Sequence, residues 1–400
     1  MLVGVVGKPS VGKSTFFKAI TLAEAEIAPY PFTTIKPNTG MGYVKIQCVD
    51  KEFGVQCNPR EGFCIGGWRF VPVQMIDVAG LIPGAHEGKG LGNQFLDDLR
   101  QADVLIHVVD TAGSTNERGE NVPPGSYDPA NDIRFLEFEL DMWYYGILQK
   151  AWDKFVRLTV QATIEPKKAI AQQFSGLGKI SEDLVQGILT ELKLASKKLD
   201  AWSEEDVKGF AALLRRKTKR MIIACNKIDV KGAYENYLRL KEQFKDYVMV
   251  PCSAESELAL REAAKHELLQ YVPGEKDFSI LKKEKLNDNQ LKALDFIRAT
   301  ILGKYGSTGV QEVLDIAVFQ YLGYVAVFPG GVNNLVDSKG RVLPDCYLMP
   351  PASTALDFAF RIHTDIGNKF IRAIDVKTKR TVGKEHPVKH RDVMEIITAR

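Results

Sequence analysis

The sequence predicts an α/β protein: a mostly parallel sheet flanked by helices, interrupted by an inserted helical hairpin and followed by a small α+β unit. Three observations carry this. A glycine-rich loop, GKPSVGKST over 7–15, joins an apolar strand to a helix. Later apolar runs each end in polar residues suited to holding a ligand, at Asp77, Asn226 and Ser253. A helical stretch separates Asp110 from Met221, and from 321 onward short strand patterns surround one helix.

The first strand and loop come from MLVGVVG and the residues after it. Gly7, Gly12, Lys13 and Ser14 fill the pattern G-x-x-x-x-G-K-S. The glycines let backbone N–H groups approach phosphate oxygens, and Lys13 reaches the β- and γ-phosphates as a point charge. The Ser14 hydroxyl suits Mg²⁺. The cradle as a whole is Gly7, Lys8, Pro9, Ser10, Val11, Gly12, Lys13, Ser14 and Thr15. Its phosphates would sit on the N-terminus of the helix in KSTFFKAITLAEA, where unpaired amides favour anions. A plain glycine turn is the bland alternative.

Four stretches follow in order. YPFTTIKPNTG, 30–40, is too proline-punctuated to be helical throughout. Thr34, rather than Thr33, is the expected hydroxyl that completes a Mg²⁺ shell and reports the γ-phosphate; a surface loop is the other reading. FVPVQMIDVAGLIPG, 70–84, is a strand ending in Asp77, which can hold Mg²⁺ through water, and Gly80 can turn its N–H toward the γ-phosphate. RMIIACNKIDVKG, 220–232, ends a strand in Asn226, Lys227 and Asp229. A carboxylate at Asp229 accepts both N1–H and N2–H of guanine, while adenine would leave it unpaired at a cost of roughly 1–3 kcal/mol. VMVPCSAESE, 248–257, offers the Ala254 amide to guanine O6, or else Ser253 as a simple helix cap. Taken in series, these read as a Ras-like P-loop GTPase domain using GTP/GDP and Mg²⁺.

The run DVAGLIPGAHEGKGLGNQFLDDLRQADVLIHVVD, 77–110, resembles the Obg-like GTPases, and YPFTTIKPNTG matches the same group. The whole layout resembles the YchF branch in an archaeal-type form. The resemblance implies a GTPase domain over 1–130 and 220–274, an inserted helical domain over 131–219, a helical connector over 275–320 and a TGS domain, a β-grasp, over 321–400. It also implies contact with RNA or the ribosome. Many YchF proteins carry a changed base-reading motif and prefer ATP, whereas Asn226-Lys227-Ile228-Asp229 is intact here. Potassium-stimulated relatives use an asparagine where this chain has Ser10, which counts against K⁺ as a cofactor. Glutamine orients the attacking water in Ras-like enzymes, directly after the D-x-x-G glycine; Leu81 stands there and cannot, so slow hydrolysis is expected. His86 is the candidate helper, against the reading of an ordinary loop histidine.

In the insertion, Ile133, Leu136, Leu140, Trp143 and Ile147 form one apolar stripe, and Leu184, Ile188, Leu192, Ala195 and Leu199 a second. They predict an antiparallel, coiled-coil-like hairpin that packs on itself. Arg215, Arg216, Lys217, Lys219 and Arg220 are either an RNA-facing patch or a solvated helix end. At the C-terminus, DSKG over 337–340 predicts a turn between strands, and Lys377, Lys379, Arg380, Lys384, Lys389, His390 and Arg391 are candidate phosphate contacts.

The chain has 400 residues and a net charge of +3, which supports two or three domains and marks no partner class. No apolar run spans a bilayer, and the first strand starts at Leu2, so neither membrane nor leader is expected. The six cysteines are irregularly spaced, as in a reduced, cytoplasmic chain. Cys48, Cys57 and Cys64 crowd one segment. They read either as a metal site, lacking an evident fourth ligand and any Cys-x2-Cys, or as loop and edge-strand thiols. The expectation is a monomeric GTP-hydrolysing switch acting on an RNA-containing partner. The alternatives are a YchF-type ATPase and a nucleotide-gated binding module with incidental hydrolysis.

Overall fold

Apolar runs and caps set the element boundaries in the computed structural model, which describes residues 1–22, 38–78, 92–160, 164–175 and 180–399. The first half of the chain runs β1 Leu2–Val6, α1 Lys13–Thr21, β2 Thr39–Gln47, β3 Phe63–Ile65, β4 Trp68–Asp77, α2 Gly92–Gln101, β5 Val104–Asp110, α3 Ala130–Val160, α4 Pro166–Gln173 and α5 Glu182–Glu191. Then come α6 Glu204–Thr218, β6 Met221–Asn226, α7 Ala233–Gln243, β7 Met249–Pro251, α8 Ala254–Lys265, β8 Leu269–Tyr271 and β9 Phe278–Ile280. The remainder is α9 Asp288–Phe296, α10 Gly303–Tyr305, α11 Val310–Asp315, β10 Val325–Pro329, β11 Tyr347–Met349, α12 Ala355–Ile362, α13 Thr364–Asn368, β12 Phe370–Asp375, β13 Arg380–Val382 and β14 Asp392–Thr398. No helix among the described residues is long and apolar enough to cross a membrane.

Two compact units emerge, one of residues 1–17 and 75–255, the other of 18–74 and 256–400. In the first, β1, β5, β6 and β7 pair in parallel, in that order. The end of β4 joins β1's free side, where the Val78 amide donates to Val5 O at 3.0 Å. Helices cover such a sheet on its faces, so β5 and β6 are buried along their whole length and read as unbroken apolar runs.

Among its described residues the insertion contains four helices, α3 to α6, rather than a two-helix hairpin. The first stripe sits on α3, with Ile133, Leu136 and Leu140 fully buried. The second is broken: α5 stops at Glu191, Lys193 takes φ 58°, and Ala195 is exposed in the turn that follows. Ser203 then restarts the chain as α6 through a capping box with Asp206. Nor do the stripes pack only on themselves. Leu136, Leu140, Leu148 and Phe210 share one continuous core with Val6, Val78 and Leu105 of the sheet layer and Phe95 of α2. The basic cluster is corrected as well. Arg215 is 1% exposed, its Nε donating to Asp141 at 2.7 Å and Nη1 to Tyr247 at 3.2 Å. Lys219 is 2% exposed and donates to Ala102 O at 2.5 Å. Only Arg216, Lys217 and Arg220 of that cluster face solvent.

In the second unit, β3 pairs antiparallel with β4, and the C-terminal residues form a five-stranded sheet ordered β11-β10-β14-β12-β13. β10 and β14 are parallel, and α12 buries Phe358 against the sheet, the β-grasp arrangement expected for a TGS domain. DSKG does form the turn: Asp337 accepts from the amides of Lys339 and Arg341, both at 2.9 Å, and Gly340 takes φ 78°. Three of the candidate phosphate-binding residues are committed within this unit. Arg391 donates to Gln47 O at 3.0 Å and pairs with Glu52, and Lys377 pairs with Glu52 at 2.7 Å. His390 Nδ1 accepts from the Ala326 amide at 3.3 Å. Lys379, Arg380, Lys384 and Lys389 remain exposed.

Inside the first unit, His107 of β5 is 1% exposed, and its Nδ1 has no partner. Burial, reinforced by the charge of Lys8, lowers its pKa to about 3. An unfolded chain takes up a proton there below its ordinary value near 6.5, while the folded chain does not until about 3. Stability is therefore lost as pH falls through that window, by up to roughly 1.4 kcal/mol per pH unit. His107→Leu should flatten the slope of the unfolding midpoint between about pH 6.5 and 5 without lowering it at pH 8. Thermal scans across pH on both proteins check this.

Candidate functional site

The glycine-rich loop turns out of β1 and into α1, which places its amides at the helix N-terminus. Neither Gly7 nor Gly12 of the loop tolerates a side chain. A Cβ on Gly7 would lie 2.6 Å from Val108 O of β5. Gly12 has φ 91°, and a Cβ there would lie 2.3 Å from Asn226 Nδ2. The second clash shows that the loop and the end of β6 are one structure.

Asn226 makes the join. It is 3% exposed; its Nδ2 donates to Val11 O at 2.8 Å, and its Oδ1 accepts the Ala254 amide at 3.0 Å. The Ala254 amide, at the start of α8, is the donor to that Asn226 oxygen, so reading a purine O6 would require it to leave this partner. Ser253, directly before it, is 1% exposed.

Lys227 takes φ 61°, a left-handed backbone that costs about 1–2 kcal/mol outside glycine. Its ammonium is held by Asp110 Oδ2 at 3.0 Å and Ser114 Oγ at 3.2 Å. Asp110 ends β5, is 1% exposed, and accepts from Thr115 Oγ1 and Ser114 Oγ at 2.9 and 2.7 Å. Sequence reasoning missed Asp110, although its position at a strand's end matches that of Asp77. The turn is closed by Ile228 N to Cys252 O at 3.1 Å. Asp229 emerges from it half-buried, and no described residue donates a hydrogen bond to its carboxylate.

On the phosphate side, the Lys13 ammonium pairs directly with Asp77 at the end of β4. Ser14 is exposed at the head of α1. Lys8 belongs to the loop in sequence, but its side chain turns inward. Its ammonium stands 2.9 Å from both Thr115 O and the Asp132 carboxylate of α3, and 3.8 Å above the Tyr127 ring. Only its backbone is available to a phosphate. Pro9 and Ser10 are exposed at the rim, Ser10 with φ 64°. The structure therefore gathers Gly7–Thr15, Asp77, Asn226, Lys227, Asp229, Ser253 and Ala254 in one unit. Thr34, Gly80, Leu81 and His86 lie outside the described residues.

Comparison with known proteins matches three family models along the chain: a 50S ribosome-binding GTPase domain over 2–131, an Obg-like GTPase YGR210-like, G4 motif-containing domain over 224–332, and a TGS domain over 336–398. An uncharacterized GTP-binding protein of Methanocaldococcus jannaschii is 48% identical, covering 100% of this chain and 99% of its own. The ribosome-binding ATPase YchF of Haemophilus ducreyi is 31% identical over 78% of each. The crystal structure of a GTP binding protein from Pyrococcus horikoshii OT3 superposes with a TM-score of 0.75 at 38% identity over 100% of both chains.

Because Asn226 joins loop to base turn, Asn226→Ala should weaken GTP and ATP binding alike. It also strands a buried carbonyl and amide, at a cost of about 1–3 kcal/mol. Calorimetric titration with both nucleotides, beside a thermal melt, tests this. A loss confined to one purine would contradict the assigned role.

Proposed function

The chain belongs to the Obg-like, YchF-type family of P-loop GTPases, and from that premise we propose that it is a GTP-hydrolysing switch that reads guanine through Asp229. The observation that carries the reading is a division of labour. Asn226 is consumed by the frame, Lys227 by Asp110, and the Asp229 carboxylate alone is left to a ligand. Its two oxygens match the adjacent N1–H and N2–H donors of guanine.

The triphosphate lies on the amides of 7–15. Lys13 exchanges Asp77 for the β- and γ-phosphates. A hydroxyl at Ser14 and a carboxylate at Asp77 are hard oxygen donors of the kind Mg²⁺ takes, so these residues fit the ion. When bound, Mg²⁺ neutralises charge on the phosphates. Thr34 and Gly80 are assigned to sensing the γ-phosphate, and Leu81 to the absence of a water-orienting side chain, with His86 as the helper. Turnover by the chain alone is then slow. The partner is assigned as the ribosome from the printed name of the Haemophilus ducreyi relative, and the proposed compartment, where such a partner would be met, is the cytoplasm. Lys379, Arg380, Lys384 and Lys389 of the C-terminal sheet unit are the exposed cations available for phosphate contacts.

A second reading, ATP as fuel, is favoured by that same relative's description as an ATPase. The two readings separate at one residue. GTP should bind at least tenfold more tightly than ATP, and Asp229→Asn should cost about 2–3 kcal/mol of GTP affinity, roughly 30- to 150-fold, with little change for ATP. Titration of both nucleotides into both proteins decides it. Equal GTP and ATP affinities in the unsubstituted chain would defeat guanine reading.

A further inference from the structure

We propose that Cys48, Cys57, Cys64 and Asp50 form a structural zinc site. These four residues lie in the second unit. Their ligand atoms, three Sγ and one carboxylate oxygen, all fall within 4.8 Å of one another. Each comes from a different local feature. Cys48 follows β2, its amide fixed by Gly67 O at 2.9 Å. Asp50 opens the 3₁₀ turn Asp50–Phe53. Cys57 lies in the loop beyond, and Cys64 is in the middle of β3.

The spacings suit one tetrahedral ion. Zn–S bonds near 2.3 Å put thiolates about 3.8 Å apart around zinc, and a carboxylate oxygen about 3.5 Å from each sulfur. The Cys48 and Cys57 sulfurs are 3.5 Å apart, and Cys64 Sγ is 4.0 Å from Asp50 Oδ2. A disulfide needs about 2.05 Å, so the arrangement is not one. Asp50 is 1% exposed, with two backbone amides as donors, Lys51 at 2.8 Å and Cys57 at 3.4 Å. Amides bonded to a carboxylate orient it as metal ligands are oriented by their outer partners. The charge also closes better with an ion: three thiolates and a carboxylate, offset by a divalent cation and by the buried Arg69 guanidinium, whose field reaches Cys57 and whose Nε has no partner. Thiolates with one carboxylate select Zn²⁺ over Mg²⁺.

Such an ion has structural work to do. The segment it ties together holds the C-terminal residues: the Asn58 amide donates to Val342 O at 2.8 Å, the Arg60 amide to Pro344 O at 2.9 Å, and Arg60 pairs with Asp345 at 2.7 Å. Glu52, in the 3₁₀ turn, takes Lys377 and Arg391. Cys346, half-buried in the same unit, feels the charge of Cys48 and Cys57 and is the rival fourth ligand.

The full-length chain, purified reduced and without chelator, should carry about one zinc by elemental mass spectrometry. Cys57→Ser, Cys64→Ser and Asp50→Asn should each lower the content at least roughly tenfold, while Cys225→Ser and Cys346→Ser keep it. Should a variant fail to fold, cobalt added to the chelated native chain keeps the question open to answer, through the absorption bands of tetrahedral thiolate ligation. Chelation should lower the thermal midpoint and zinc restore it. Absence of zinc both on isolation and after zinc addition, or a Cys48–Cys57 disulfide in the native protein, would overturn the site. Zinc lost with Cys346→Ser but retained by Asp50→Asn would overturn the ligand set.

Discussion

The two hydrogen bonds of the Asn226 carboxamide are the constraint on which the site depends. One end holds the carbonyl of Val11 in the phosphate loop, the other the first amide of α8. Three strand ends are thereby locked into a single rim. The price is local: the loop must carry glycine at 12, since any Cβ there would collide with the carboxamide. A buried amide with both ends satisfied also fixes the direction in which the next turn leaves β6. Lys227 is pinned in its left-handed conformation by Asp110, and Asp229 is thrown outward with its acceptors unused. The glycine-rich loop and the turn proposed to read the base are thus mechanically one element.

Lys8 extends this frame away from the nucleotide. It is a loop residue by sequence but a core residue by environment, clamped between Thr115 and the first turn of α3. Leaving either Lys8 or Asp132 alone would strand a buried charge, so the pair holds the loop and the long helix together. The shared apolar core does the same from below, because Val6 and Leu105 pack in one cluster with Leu136 and Leu140. The insertion is therefore built into the nucleotide-binding unit, and a displacement of the loop must be accommodated by α3.

What the sequence made legible was local chemistry. Parallel strands buried on both faces announce themselves as apolar runs, and ligand residues sit where those runs stop; β1, β4, β6 and β7 were placed on that basis. What it concealed was closure in three dimensions. Arg215 and Lys219 read as a basic surface because charge is visible and burial is not; only Asp141, Tyr247 and the Ala102 carbonyl reveal them as internal ties. The Leu184–Leu199 stripe keeps helical spacing across the end of a helix, since α5 and the following turn happen to continue the period. The tie between the Ala254 amide and the Asn226 side chain joins residues 28 apart, so no local pattern marks it. Asp50 was invisible as a fourth ligand because nothing in its spacing from Cys48 marks a chelate. Thr34, Gly80, Leu81 and His86 rest on motif order.

The Lys13–Asp77 ion pair explains how such a site handles so much charge. An ammonium and a carboxylate, both largely sheltered, would each be costly to desolvate alone; paired, they satisfy one another. On the proposed function, Lys13 would hold the phosphates of a magnesium triphosphate and Asp77 would serve the metal, so each charge would exchange one partner for another and neither would be left bare. The same exchange separates Asp77 from Lys13, and Asp77 lies only three residues before Gly80. On the proposed function, occupancy of the phosphate site would therefore be felt at the end of β4 through a single carboxylate, by exchange of partners.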